Sequence, residues 1–174
     1  MKKVNFIFIL LTSLTFAQSP LEFEKVIETN ETKEKTFPKI KEWIATKFVS
    51  ANDVIQMEDL SSGIFVVKGK SSYEHPKALY NCYNGAIEFT LKIEVRDNRF
   101  KFQLFDLKHI TNYDNKCDLG QLTTAEIHST KGVNKGYNNR VWKLLQEEAF
   151  ELASRVTSGL ETVISMNNSA DDWK

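Results

Sequence analysis

Ile87-Glu88-Phe89-Thr90-Leu91-Lys92-Ile93-Glu94-Val95-Arg96 runs into Asp97-Asn98 and then Arg99-Phe100-Lys101-Phe102-Gln103-Leu104. Apolar and polar residues alternate on both sides of a two-residue turn. An alternation of period two sends every second side chain to the same face of a strand. Pairing Arg96 with Arg99 sets Val95 opposite Phe100, Ile93 opposite Phe102 and Glu94 opposite Lys101. The apolar side chains of both strands then share one face, and the charges share the other. A slip of one residue would bury the charges, so the register is strongly specified. Beyond Leu104 the phase changes, with Phe105 and Leu107 apolar around Asp106, which predicts a bulge.

Working towards the N-terminus, Val54 to Glu58 and Ile64 to Lys70 read as two strands joined by the turn-rich Asp59 to Gly63. Ser71 to Asn84 is a longer connection containing His75-Pro76. Phe37, Ile40, Trp43, Ile44 and Phe48 recur at helical spacing, which predicts an amphipathic helix within Lys33 to Val49. Pro38 is expected in its first turn, with Thr36 as N-cap. Leu21 to Glu28 reads as a first strand. Towards the C-terminus, residues 111–137 form a long polar segment of weak periodicity. A second helix is expected from about Asn139, with Val141, Leu145, Ala149, Leu152, Val156, Leu160 and Val163 as its apolar stripe. Gly159 in that stripe would bend the helix, end it or allow close packing. The element order is β-α-β-β-β-β-α. A sheet with one apolar face needs cover on that face, and the two helices supply it. The expected fold class is therefore α+β, a two-layer arrangement of an antiparallel sheet covered on one face by two helices. Residues 18–166 form one domain on this reading, followed by a flexible tail, 167–174.

Residues 1–17 have the layout of a secretory signal peptide: Lys2 and Lys3, an apolar run from Phe6 to Leu14, and small residues at Thr15 and Ala17 before a cleavage point. The apolar run is shorter than the roughly 20 residues that a membrane span needs. An exported protein, periplasmic or extracellular, with no transmembrane segment in the mature chain is expected. The 174 residues carry 23 Lys+Arg and 23 Asp+Glu. Removing 1–17 takes away Lys2 and Lys3 and no acid, leaving 21 positive and 23 negative charges, formally −2. Such a chain has no bulk charge with which to attract nucleic acid. Export makes a disulfide between Cys82 and Cys117 feasible. It would close a loop of about 34 residues and contribute roughly 3.5–4 kcal/mol in the chain-entropy model. Two separate buried thiols fit the same spacing.

From Phe23 to about Phe105 the chain resembles a family of exported bacterial proteins known as domain-of-unknown-function family 4468, assigned a TBP-like fold. The resemblance rests on Lys41-Glu42-Trp43-Ile44, on Val54-Ile55-Gln56-Met57-Glu58-Asp59, on Gly63-Ile64 leading to Lys68-Gly69-Lys70, and on the alternating hairpin after Gly85. It implies that fold and an exported, periplasmic location. It carries no activity, and a fold by itself implies none.

No motif announces chemistry or a cofactor. His75, His109 and His128 lack the spacing of a helical metal pair, and there is no Cys-x-x-Cys. Asp106, Asp114 and Asp118 do not follow a calcium-loop spacing, and turn formation accounts for them. Lys131, Lys135, Arg140 and Lys143 form a basic run around Gly132 and Gly136, where free N–H groups at a helix start could hold an anion. The reading that follows is an exported, non-catalytic binding or interaction module of the bacterial cell envelope, its partner an envelope protein or a small ligand. Its expected surfaces are the solvent face of the sheet (Lys92, Lys101, Phe105) and the segment from Tyr113 to Tyr137. The alternative is a ligand-binding protein or enzyme with a pocket between residues 111–137 and the C-terminal helix, using His128, Lys131, Lys135, Arg140 and Lys143.

Overall fold

The structure, a computed structural model, describes residues 18–48, 51–112, 115–129 and 134–165. Residues 1–17, read above as a signal peptide, Tyr113, Asp114, Lys131 and residues 167–174 lie outside the described residues. In chain order the elements are β1 (Phe23–Glu28), α1 (Lys33–Lys47), the single turn α2 (Ala51–Val54), β2 (Ile55–Asp59), β3 (Ile64–Tyr73), a 3-10 segment (Ala78–Tyr83), β4 (Gly85–Arg96), β5 (Arg99–Thr111), a 3-10 turn (Asn115–Cys117), β6 (Gly120–Gln121) and α3 (Lys135–Ser165). The strands form one antiparallel sheet in the order β1-β5-β4-β3-β2, with β6 also pairing β5.

The hairpin has the register its alternation dictates: Val95 faces Phe100, Ile93 faces Phe102 and Glu94 faces Lys101. Its bulge lies on β5, where Asp106, at φ 57°, and Leu107 together oppose Phe89, the one residue between Glu88 and Thr90. Asp tolerates this left-handed conformation better than most residues. Phe65, Val67, Ile87, Leu91, Ile93, Phe100, Phe102 and Leu104 are buried on the inner face. Ile40, Trp43 and Ile44 of α1, with Val141, Trp142, Leu145, Ala149 and Leu160 of α3, cover them. Phe37 stacks on Phe65 with ring centroids 4.0 Å apart.

Two helix starts differ from the expectation. Helix α1 begins three residues before Thr36, which is buried inside the helix with no partner for its hydroxyl among the described residues. The N-cap residue is Thr32, whose side chain makes no capping bond; the first helical N–H, from Lys33, is instead taken by Asp97 Oδ1 at 2.8 Å. Pro38 consequently sits in the second turn, on the exposed side, where water can serve the carbonyl that a missing N–H leaves unpaired. Helix α3 begins at Lys135 rather than Asn139, so Lys135 and Tyr137 belong to its first turn. Its helical run passes through Gly159, which lies against the Trp43 indole; a Cβ there would come within 2.6 Å of Nε1.

The described part of the 111–137 segment is pinned down. Leu119 and Leu122 enter the core, and Leu122 exchanges backbone hydrogen bonds with Leu21 and Leu107. Trp142 Nε1 and Gln146 Nε2 donate to Ala125 O at 2.8 and 3.0 Å.

Candidate functional site

At one end of the sheet, the connection between β3 and β4 folds against the first turns of α3. Pro76 disfavours a helical conformation at His75, and the 3-10 segment begins only at Ala78, after an extended Lys77. That segment is held from three sides. Cys82 is disulfide-bonded to Cys117, with Cα atoms 5.8 Å apart. The Tyr83 hydroxyl donates to Asn138 Oδ1 of α3 at 2.5 Å. The Tyr83 carbonyl accepts from Nε2 of His109, 2.9 Å away and fully buried. Burial pushes the His109 pKa below its ordinary value of 6.5, against the opposing pull of that hydrogen bond and of Asp118. The Leu119 N–H donates to its Nδ1 at 3.2 Å, so the ring is the neutral Nε2–H tautomer.

Outside this anchor lies an open cleft of about 630 Å³, lined by His75, Pro76, Lys77, Tyr80, Asn139, Arg140, Lys143, Leu144 and Glu147. Its floor is a ring stack: His75 lies on Tyr80 at 4.1 Å and 29°. The His75 backbone N–H donates to Asn84 Oδ1 at 2.8 Å, and the Lys77 N–H donates to His75 Nδ1 at 3.1 Å. Arg140 Nη1 donates to the Tyr80 hydroxyl at 3.2 Å, a contact that favours the charged guanidinium. Tyr137 flanks Tyr80 at 5.6 Å and is itself exposed. Three cations, Lys77, Arg140 and Lys143, face one acid, Glu147, across this lining. The arrangement is rich in donors and poor in acceptors, suited to holding an anionic group beside an apolar surface.

Of the residues singled out in the sequence, Arg140 and Lys143 therefore come together against residues 75–80, and among the described residues none of 111–137 lines that cleft. Lys135 is exposed at the start of α3. His128 points elsewhere: Nε2 lies 3.0 Å from the Leu119 carbonyl, and the ring packs on Trp142 at 4.8 Å. Lys92 and Lys101 share the outer face of the sheet, paired with Glu94 (2.5 Å) and Glu24 (3.3 Å). Phe105 is half-buried on that face, opposite Thr90. Asp106 serves the bulge, and Asp118 Oδ1 accepts from the backbone and hydroxyl of Thr111, both at 2.7 Å. The cleft residues His75 and Tyr80 were missed as a site. The signal available was the placing of three of the five tyrosines, Tyr73, Tyr80 and Tyr83, within eleven positions of the chain.

Residues 23–110, half of the chain, match the profile described as a domain of unknown function (DUF4468) with TBP-like fold. No curated protein matches the chain. Among solved structures, the chain is similar to a DUF4468 family protein from Bacteroides ovatus, with a TM-score of 0.58 and 10% identity over 92% of this chain and 95% of that one. It is also similar to a TBP-like protein from Parabacteroides distasonis, with a TM-score of 0.53 and 14% identity over 82% of this chain and 93% of that one. At such identities the likeness shows the fold alone. With the profile match covering the sheet from β1 almost to the end of β5, the chain belongs to the DUF4468 family, a domain of unknown function with a TBP-like fold.

Proposed function

We propose that this protein is an exported, non-catalytic binding module of the bacterial cell envelope, and that its recognition surface is the cleft between residues 75–80 and the first turns of α3. The observation that carries the reading is the fixed set of donors in that cleft: His75 and Arg140 are both held by Tyr80, with Lys143 on the same helix. Side chains immobilised before a ligand arrives lose little entropy on binding. The outer face of the sheet is the weaker candidate, because Lys92 and Lys101 are already paired with acids of the same face. Export rests on the layout of residues 1–17 and accords with the Cys82–Cys117 bridge.

The test is crosslinking in cells that export a C-terminally tagged protein, with captured partners read by mass spectrometry. Arg140→Glu with Lys143→Glu should abolish a reproducible capture, while Lys92→Glu with Lys101→Glu leaves it intact. The reverse pattern would move the recognition surface to the sheet and end the cleft reading.

A further inference from the structure

Resting on the cleft reading, we propose that the ligand is an organic carboxylate, its charged end held by His75, Arg140 and Lys143 and its apolar part lying on Tyr80 and Leu144. His75 is only 9% exposed. Because its Nδ1 accepts the Lys77 N–H, its proton sits on Nε2. Among the described residues Nε2 has no hydrogen-bond partner, and the residue lines the cleft. A largely buried ring, stacked and fixed in one tautomer, thus presents its donor to the solvent in the cleft. Nε2 is not one of the buried polar atoms without a partner, so solvent reaches it, and an acceptor on a ligand would take the place of water there. Arg140 supplies the second point of attachment. One guanidinium nitrogen is spent on Tyr80, which orients the planar fork and leaves its other N–H groups for a carboxylate.

The class of anion follows from what surrounds these donors. Beside them the wall is apolar: Pro76, the Tyr80 ring and Leu144, itself 36% exposed. A fully hydrated dianion gains nothing from such a wall, whereas a carboxylate carried on an alkyl or aromatic group fills it. Glu147 at the same cleft adds repulsion that a doubly charged phosphate feels more strongly than a carboxylate. The volume, about 630 Å³, is in the range of small-ligand sites. A free organic acid and the C-terminus of an apolar peptide present the same chemistry.

The experiment is an NMR titration of the full mature protein, following the His75 ring nitrogens and the Arg140 side chain. The probes are sodium hexanoate, its neutral isostere hexanamide, inorganic phosphate, and a short apolar peptide with a free or an amidated C-terminus. Hexanoate should shift the His75 Nε2 signal saturably, at least tenfold more tightly than hexanamide or phosphate. Arg140→Gln and, separately, Lys143→Gln should weaken it tenfold or more with the amide spectrum otherwise native. If the free-ended peptide binds more tightly than both its amidated form and hexanoate, the carboxylate comes from a polypeptide terminus. Equal binding of hexanoate and hexanamide, or phosphate binding as tightly as hexanoate, would overturn the ligand class. No shift with any probe, while charge reversal at Arg140 and Lys143 still abolishes capture in cells, would overturn the carboxylate and leave the cleft standing. Loss of both would remove the cleft as well.

Discussion

His109 is the residue on which the cleft's anchoring depends most directly on pH. It is fully buried, donates to the Tyr83 carbonyl and accepts from the Leu119 N–H. Its pKa is held below 6.5, first by burial. Below 6.5 the unfolded chain binds a proton that the folded chain refuses, so protons favour unfolding. The contribution of neutral His109 is present above 6.5 and is lost as pH falls towards and through the depressed folded value. His109→Phe should be destabilised at pH 7.5 by about 1–3 kcal/mol, because two backbone partners lose their bonds. The gap between wild type and variant in urea unfolding should narrow by pH 5, and a constant gap would mean that His109 does not titrate with folding. Tyr73 makes the opposite case. Its hydroxyl is buried without a hydrogen-bond partner among the described residues, and burial pushes its pKa up to about 12. Tyr73→Phe removes an unsatisfied polar atom and keeps the ring, which packs edge-on to His109 at 5.8 Å. It should leave stability unchanged or raise it by about 1 kcal/mol in thermal or urea unfolding. A loss of that size would reveal a partner for the hydroxyl.

Between elements, the contact of α1 with α3 turns on Gly159. In an exposed helix, Ala in place of Gly gains about 1 kcal/mol. Here the new Cβ would stand 2.6 Å from Trp43 Nε1, and Trp43 is buried. Overpacking of this kind costs about 1–3 kcal/mol, so Gly159→Ala should be net destabilising by about 1 kcal/mol. Trp43→Phe in the same chain should recover part of that loss, a coupling that a double-mutant cycle reads directly. If Gly159→Ala stabilises the protein, the helices have room that this packing denies. The sequence alone disclosed the elements that follow a local period. The hairpin's register could be read because each strand repeats every second residue, and the helical stripes because theirs recurs every three to four. What escaped depends on distant partners. The start of α1 is set by Asp97, 64 positions away in the chain, whose carboxylate takes the Lys33 N–H. Strand β6 is two residues long, Gly120–Gln121, and exists only because β5 offers it an edge. The cleft escaped for the same reason: Arg140 was legible as part of a basic run, but its neighbours His75 and Tyr80 arrive from the β3–β4 connection.

At the scale of the whole molecule, the disulfide joins the two segments that carry least regular structure. Cys82 lies in the 3-10 segment that bears Tyr80, and Cys117 in the turn that leads into β6. With a sequence separation of 35, the bridge restricts the unfolded chain by about 3.5–4 kcal/mol in the loop-entropy model. For a domain of this size each kcal/mol moves Tm by roughly 2–4 °C, so Cys82→Ser with Cys117→Ser should lower Tm by about 7–16 °C at neutral pH. The hydrophobic sheet and its two helices do not depend on the bridge, and far-UV circular dichroism of the variant below its transition should stay native. The cleft does depend on it. Without the bridge, the 3-10 segment is held by the Tyr83–Asn138 and Tyr83–His109 contacts alone among the three ties described, and His75 and Tyr80 become freer to move. Hydrogen exchange should therefore accelerate around residues 75–83 and 117–121 before it does in β4 or β5. Protein made in a reducing cytoplasm should behave like the serine variant, and oxidation should restore both Tm and protection. Uniform acceleration across the sheet would instead place the bridge among the contacts that hold the whole core.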